Sequence, residues 1–239
     1  MRIDILQLVD GAKLSRGLTV IIDVFRAFSL ACYLFDRGVK EIIPVGTTEQ
    51  AFKLKEANPG AILIGERNNQ KIKGFDFGNS PFQTRDFDFR GKTVVHTTSA
   101  GTQGLIHATN ADEVITGSFV NAQAVIDYIR AKNPSVVSLV CMGYAAKYPV
   151  EEDTFCAEYI RNGLRGDAYD FISIIDIIRN TSGKRFFIPE NQEFSPKEDF
   201  FYCMNLNHFN FILKAERNGQ SNIILRKKIL KPTELHKEV

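Results

Sequence analysis

Residues 65–81 read Gly-Glu-Arg-Asn-Asn-Gln-Lys-Ile-Lys-Gly-Phe-Asp-Phe-Gly-Asn-Ser-Pro. The apolar run Ala61-Ile62-Leu63-Ile64 stops at Gly65, and a carboxylate and a guanidinium follow side by side. A basic stretch rich in glycine and asparagine comes next, closed by Asn79-Ser80-Pro81. So long a connector without apolar periodicity is unusual in a compact domain, where connections are short. Its chemistry is that of an anion or phosphate–metal site. Glu66 can hold a cation, and Arg67, Lys71 and Lys73 can neutralise an anion. The plainer alternative is a solvated surface loop.

Three other segments place polar groups where strands would end, the position at which open α/β sheets bind ligands. Asp23-Val24-Phe25-Arg26-Ala27-Phe28-Ser29 follows Val20-Ile21-Ile22. Asp23 there could ligate a metal and Arg26 clamp a phosphate, or the two could be an N-cap aspartate and a surface arginine. His96-Thr97-Thr98-Ser99-Ala100-Gly101-Thr102 follows Thr93-Val94-Val95. Its hydroxyl and N–H groups, turning into a helix through Gly101, would form an anion cradle. A capping turn would look the same, and His96 reads as an ordinary strand-end histidine. Glu151-Glu152-Asp153-Thr154 opens a further helix, where acidic residues serve the helix dipole as readily as a metal.

The elements that must position these groups alternate. Strands are expected at Thr19–Ile22, Glu41–Val45, Ala61–Ile64, Thr93–Val95, Glu113–Ile115 and Val136–Cys141. Helices fall between them: Ala27 to Arg37, Glu49 to Ala57 capped by Thr47 or Thr48, Asn121 as cap through Arg130, and Val150 to Gly163. The pattern predicts a three-layer α/β/α fold on a largely parallel or mixed sheet. It reads as one domain over 1–239, with room for two sub-lobes, 1–90 and 91–239. A faint echo runs through it at nearly constant offset: Thr19-Val20-Ile21 with Thr93-Val94-Val95, Glu41-Ile42-Ile43 with Glu113-Val114-Ile115, Gln50-Ala51 with Gln123-Ala124. Either two related β/α units are present or any two such units look alike. Beyond Gly166, Phe171–Ile178 fits helix or strand. The aromatic tail from Asp199 offers packing or a subunit interface and no catalytic constellation, and Lys231 onward reads as a frayed end.

Composition narrows the function. A chain of 239 residues can bury a real core. Thirty basic residues against 28 acidic ones leave a net charge of +2, which argues against nucleic acid as the partner. No apolar run approaches the roughly 20 residues of a membrane span, and the first residues do not read as a signal peptide. Four well-separated cysteines lack any CxxC pairing, so a reduced, cytoplasmic protein without zinc cluster or disulfide framework is expected.

Together the four segments resemble the 2-phosphosulfolactate phosphatase family. The resemblance rests on Val20-Ile21-Ile22-Asp23-Val24-Phe25-Arg26-Ala27, Gly65-Glu66-Arg67, and Lys71-Ile72-Lys73-Gly74-Phe75-Asp76-Phe77-Gly78-Asn79-Ser80-Pro81. Thr97-Thr98 with Gly101-Thr102, Gly117-Ser118-Phe119 with Asn121-Ala122, and Glu152-Asp153-Thr154 with Cys156-Ala157 complete it, over residues 20–157. The Gly-Phe-Asp-x-Gly-Asn-Ser-Pro string is the specific part. Asn68 and Asn69 stand where glycines are usual, a mild change because asparagine tolerates left-handed backbone. Ser99-Ala100 replaces an asparagine-containing turn, and Tyr144 to Pro149 departs from the family.

The resemblance implies a magnesium-dependent phosphatase acting on 2-phospho-3-sulfolactate in coenzyme M biosynthesis, as a homodimer. For such a reaction the sequence supplies Asp23, Glu66 and Asp153 for the ion, with Asp23, Arg26 and Arg67 catalytic. Lys71, Asn79, Ser80, Thr97, Thr98, Ser99, Gly101 and Thr102 would bind substrate. The residues agree on an anionic ligand: a phosphate ester carries about −1.5 to −2 at neutral pH. No Ser-His-Asp set or Cys-x5-Arg loop is evident. Asp23 could be metal ligand or phosphoryl acceptor, and a non-catalytic sensor of a phosphorylated metabolite, or an enzyme rearranging phosphorylated acids, would share much of this chemistry.

Overall fold

Apolar runs rich in β-branched residues become strands, and the runs with helical spacing between them become helices. A computed structural model describes residues 1–217 and 223–230. The first half comprises β1 (Arg2–Gln7), α1 (Leu8–Leu14), β2 (Leu18–Ile22), α2 (Ala27–Asp36), β3 (Glu41–Pro44), α3 (Thr48–Ala57), β4 (Ile62–Arg67) and β5 (Gln70–Lys71). Then come β6 (Thr93–Thr97), α4 (Gly101–His107), β7 (Glu113–Gly117), α5 (Ala122–Lys132) and β8 (Val136–Cys141). The chain goes on through α6 (Glu151–Arg165), α7 (Phe171–Asn180), α8 (Lys197–Cys203), β9 (Phe211–Arg217) and β10 (Ile223–Ile229). The frayed end expected from Lys231 lies outside the described residues.

All ten strands share one sheet in the order β1-β8-β2-β7-β9-β10-β3-β6-β4-β5. Two parallel blocks, β1-β8-β2-β7 and β3-β6-β4, are joined by the antiparallel β9–β10 pair. The order is symmetric about that pair: β8, β2 and β7 on one side answer to β4, β6 and β3 on the other. This is the correspondence of the sequence echo, in which β2 matches β6 and β3 matches β7. The echo therefore marks two β-α-β-α-β units, 18–67 and 93–141. Each lends its first strand to the other, since β2 lies between β8 and β7 and β6 between β3 and β4. Strands of 1–90 and 91–239 are thus shuffled together in a single sheet.

Alternation along each strand buries both faces. Ile21 joins the cluster around α2 and α4, while Val20 and Ile22 join the one formed with α5 and α6. Val95 and Leu63 pack against α3. Helices α1, α2 and α4 form one outer layer and α3, α5, α6 and α7 the other, which is the three-layer arrangement. Phe171–Asn180 resolves as a helix: Ile174 and Ile178, one turn apart, are its buried positions, and Asp170 caps it by accepting from Ile172 N and Ser173 N. Thr47 caps α3 as expected. Asn121 does not use its side chain on α5; its Oδ1 accepts from Ser118 N, closing a capping box on the 3-10 turn Phe119–Asn121. Among the described residues no helix is long and apolar enough to cross a membrane.

Candidate active site

The strand β2 ends at Ile22, and the chain turns through Asp23 to Arg26 into α2. Asp23 Oδ1 accepts from Ala27 N at 3.0 Å, so the carboxylate is held at the start of that helix. Arg26 is buried, and its Nη1 donates to Asp199 Oδ2 at 2.6 Å. Asp199 is fully buried on α8, and its other oxygen accepts from Ser80 Oγ at 2.8 Å and Phe82 N at 3.0 Å. Phe25 packs edge-on against Phe186 with centroids 4.9 Å apart, supporting the turn from below. Asp23, Phe25 and Arg26 all line one narrow cleft.

Glu66 reaches the same cleft from β4. The strand does not dissolve into a loop at Gly65: it continues to Arg67, turns at Asn68-Asn69 and returns as β5, pairing Glu66 with Lys71. Asn68 and Asn69 take the left-handed φ values of +53° and +65° that a tight hairpin turn demands. Glu66 Oε2 accepts from Asn69 N at 2.9 Å, and Oε1 from Ser99 N at 2.7 Å. The carboxylate therefore ties the hairpin tip to the turn after β6. The Tyr144 hydroxyl accepts from Asn69 Nδ2 at 3.1 Å, joining that tip to the turn after β8. Groups that follow β2, β4, β6 and β8 thus meet in one place, the equivalent strand ends of the two units.

Asn79 completes the wall. Burial, with the nearby Arg67 charge, pushes His96 down to about 4, so the imidazole is neutral at physiological pH. Its Nε2 lies 3.1 Å from Asn79 Oδ1. With Nε2–H donating to Oδ1, the Asn79 amide N–H groups are left for the cleft. Burial raises the Asp23 carboxyl to about 7; repulsion from Glu66 and Glu152 adds to this, against N–H groups of Ala27 and Gly101. Asp153, beneath it, lies well above the usual carboxylate range, through burial and then repulsion from Glu152 and Asp23. Glu152 is raised by burial, opposed by Arg185, and its Oε2 has no hydrogen-bond partner.

The sequence profile of the family described as 2-phosphosulpholactate phosphatase matches residues 3–218, nearly the whole of the described structure. The chain belongs to this family. A Bacillus subtilis protein named "Probable 2-phosphosulfolactate phosphatase" is 30% identical over 213 residues, 87% of this chain and 91% of its own. A Caldicellulosiruptor saccharolyticus protein of the same name is 34% identical, over 84% of this chain and 82% of its own. One from Thermotoga petrophila is 39% identical over 63% of this chain and 64% of its own.

The residues expected at the site from the sequence separate into two groups. Asp23, Arg26, Glu66, Asn79, Thr98 and Ser99 line the cleft. Most of the others brace it. Arg67 turns away, donating to Glu66 O at 2.7 Å, to Gly46 O, and to Thr97 Oγ1 at 2.9 Å, so it and Thr97 tie strands together. Thr102 closes the turn on Thr98, each accepting the other's backbone N–H. Gly101 is a glycine because a Cβ there would lie 2.7 Å from Asp23 Oδ2. Ser80 serves Asp199, and Lys71 lines an adjoining cavity. Asp153, the third carboxylate expected at a metal, does not line the cleft; its oxygens accept from Val24 N and Gly143 N, both at 2.8 Å.

Besides His96, which reads as an ordinary strand-end residue and orients Asn79, three participants were not foreseen. Asp199 comes from the tail expected to offer nothing to the site, and only its place in the fold reveals its tie to Arg26. Tyr144 lies in a stretch that no sequence motif marks. Arg185 donates to Phe25 O at 3.2 Å and stacks over Phe25 and Tyr144, with its Nε buried and unpartnered.

Proposed function

We propose that this chain is a magnesium-dependent phosphatase that converts 2-phosphosulfolactate, or a closely related phosphorylated 2-hydroxy acid, into the free hydroxy acid and phosphate. As a member of its family it is a phosphoric monoester hydrolase. The observation that carries the reading is the meeting of two carboxylates, Asp23 and Glu66, with Arg26 and the donors of Asn79, Thr98 and Ser99 in one cleft.

The donor set fits magnesium of a particular kind. Among the described residues no three His, Cys, Asp or Glu side chains gather into a metal cage. Magnesium commonly takes one or two carboxylates together with water and substrate phosphate oxygens. Asp23 and Glu66 would be those carboxylates, and Asp153 would position the turn beneath them. When bound, the ion would neutralise phosphate charge and acidify a water molecule.

The chain's own residues do the rest. Arg26, aimed by Asp199, binds phosphoryl oxygens from one side. Asn79, oriented by neutral His96, offers amide N–H groups from another, and Ser99 is held in place by Glu66. Arg67 fixes the backbone from which Glu66 projects. Such pre-set donors stabilise the charge of the transition state without reorganising. The cellular setting we propose is the cytoplasm, in keeping with four free, buried cysteines. The assembly is a homodimer, for which exposed Ile172, Ile177 and Phe201 offer apolar surface.

Release of inorganic phosphate from 2-phosphosulfolactate and 2-phospholactate, with magnesium and with chelator, tests the reading. Release that requires magnesium is expected. Tight binding of either ester without release would make the chain a sensor, and conversion without free phosphate would make it an enzyme of rearrangement.

A further inference from the structure

The cleft is narrow, with about 30 Å³ of free room, and a ligand that bears a carboxylate and a sulfonate beside its phosphate extends well past the phosphate itself. Directly beside the cleft lies a second cavity of about 500 Å³, and Asn69 and Asn79 wall both. Whatever part of the substrate lies beyond the phosphate has this room to enter.

The second cavity carries a cation of its own. Lys71 sits on β5 opposite Glu66, on the hairpin beside the cleft, and lines the second cavity but not the cleft. Among the described residues its ammonium has no ion pair or hydrogen bond. Lys73 and Lys147, the other basic residues of the polar loops, line neither cavity. Two carboxylates share the wall. Asp76 is engaged, accepting from Leu63 N at 2.8 Å with Lys55 3.7 Å away. Glu193 is exposed, and its backbone carbonyl accepts from Gln83.

We propose that this cavity takes the second strong anion of the substrate, the sulfonate, with Lys71 as its counter-charge and the amides of Gln70 and Asn79 beside it. The proposal rests on the phosphatase reading above. A planar carboxylate is best met by the fork of an arginine, whereas a compact ammonium is a point charge that suits a tetrahedral head with three equivalent oxygens. The cavity offers the ammonium and no arginine. Asn79 would touch the phosphate side and the sulfonate side at once, which sets the spacing between the two anions.

The test compares kcat/KM for 2-phosphosulfolactate and 2-phospholactate in the full chain, in Lys71→Met and Lys71→Gln, and in Lys71→Arg. The ratio of the two values is expected to fall about 10–100-fold in the neutral variants, mainly through KM for the sulfonated ester, as for loss of a charged hydrogen bond. Lys71→Arg should restore most of it. A ratio that stays at the wild-type value in both neutral variants overturns the subsite while leaving the phosphatase reading intact. Release of phosphate from neither ester by the wild-type chain overturns that reading, and the subsite with it.

Discussion

At the scale of single residues, the two arginines that look alike in the sequence have different tasks. Arg26 lines the cleft and is aimed by a buried carboxylate; Arg67 spends its guanidinium on Glu66 O, Gly46 O and Thr97. Replacing Arg26 by alanine should cost about 2–4 kcal/mol of transition-state stabilisation. It should also cost about 3–5 kcal/mol of folding stability, because Asp199 is left buried and unpaired. Arg67→Ala should cost markedly less activity. Steady-state kinetics and urea melts of the two variants decide; equal kinetic losses would put Arg67 in contact with substrate. His96 gives a pH prediction. The unfolded histidine takes a proton near 6.5, the folded one only near 4, so the stability it contributes above pH 6.5 is lost as pH falls toward 4. The loss should reach about 3 kcal/mol and be absent in His96→Gln. Denaturant titrations at pH 7 and 4.5 measure it, and parallel behaviour of the two proteins would mean that the ring is not buried neutral.

At the scale of elements, what positions the site is the way two helices start. Oδ1 of Asp23 is pinned by α2, and Gly101 at the start of α4 presses against its other oxygen. Gly101→Ala would set a Cβ 2.7 Å from Oδ2 and 2.8 Å from Ala27 Cβ. We expect about 1–3 kcal/mol of strain and a disproportionate loss of turnover, since Asp23 cannot yield without breaking its bond to Ala27 N. Full activity in this variant would show that the carboxylate is free to move. The alternation of strand and helix was legible because apolar runs and caps are local signals. The hairpin at 67–70 was not, because Asn68-Asn69 reads equally as a turn or as part of a longer loop. Only the pairing of Glu66 with Lys71 decides. Asn121 misled for the same reason: its neighbour Ser118, not its own helix, claims the side chain.

At the scale of the molecule, the sheet explains why a site can be legible in fragments and yet incomplete. Asp23, Glu66 and the turn at Thr98-Ser99 each lie at the end of a strand and carry a motif, so the sequence points to them. Their convergence is a property of two units that exchange first strands, and it brings Tyr144 with them. Asp199 is invisible beforehand, because nothing local links it to Arg26 across the intervening chain. The account as a whole stands on Asp23 acting with Glu66 in a phosphate-cleaving cleft. The most direct test is magnesium-dependent phosphate release from 2-phosphosulfolactate by the wild-type chain and by Asp23→Asn, which keeps shape and removes the charge. We predict release by the wild-type that chelator abolishes, and a loss of about 10²–10³-fold or more in the variant. Undiminished release by Asp23→Asn, in a folded protein, would contradict the account.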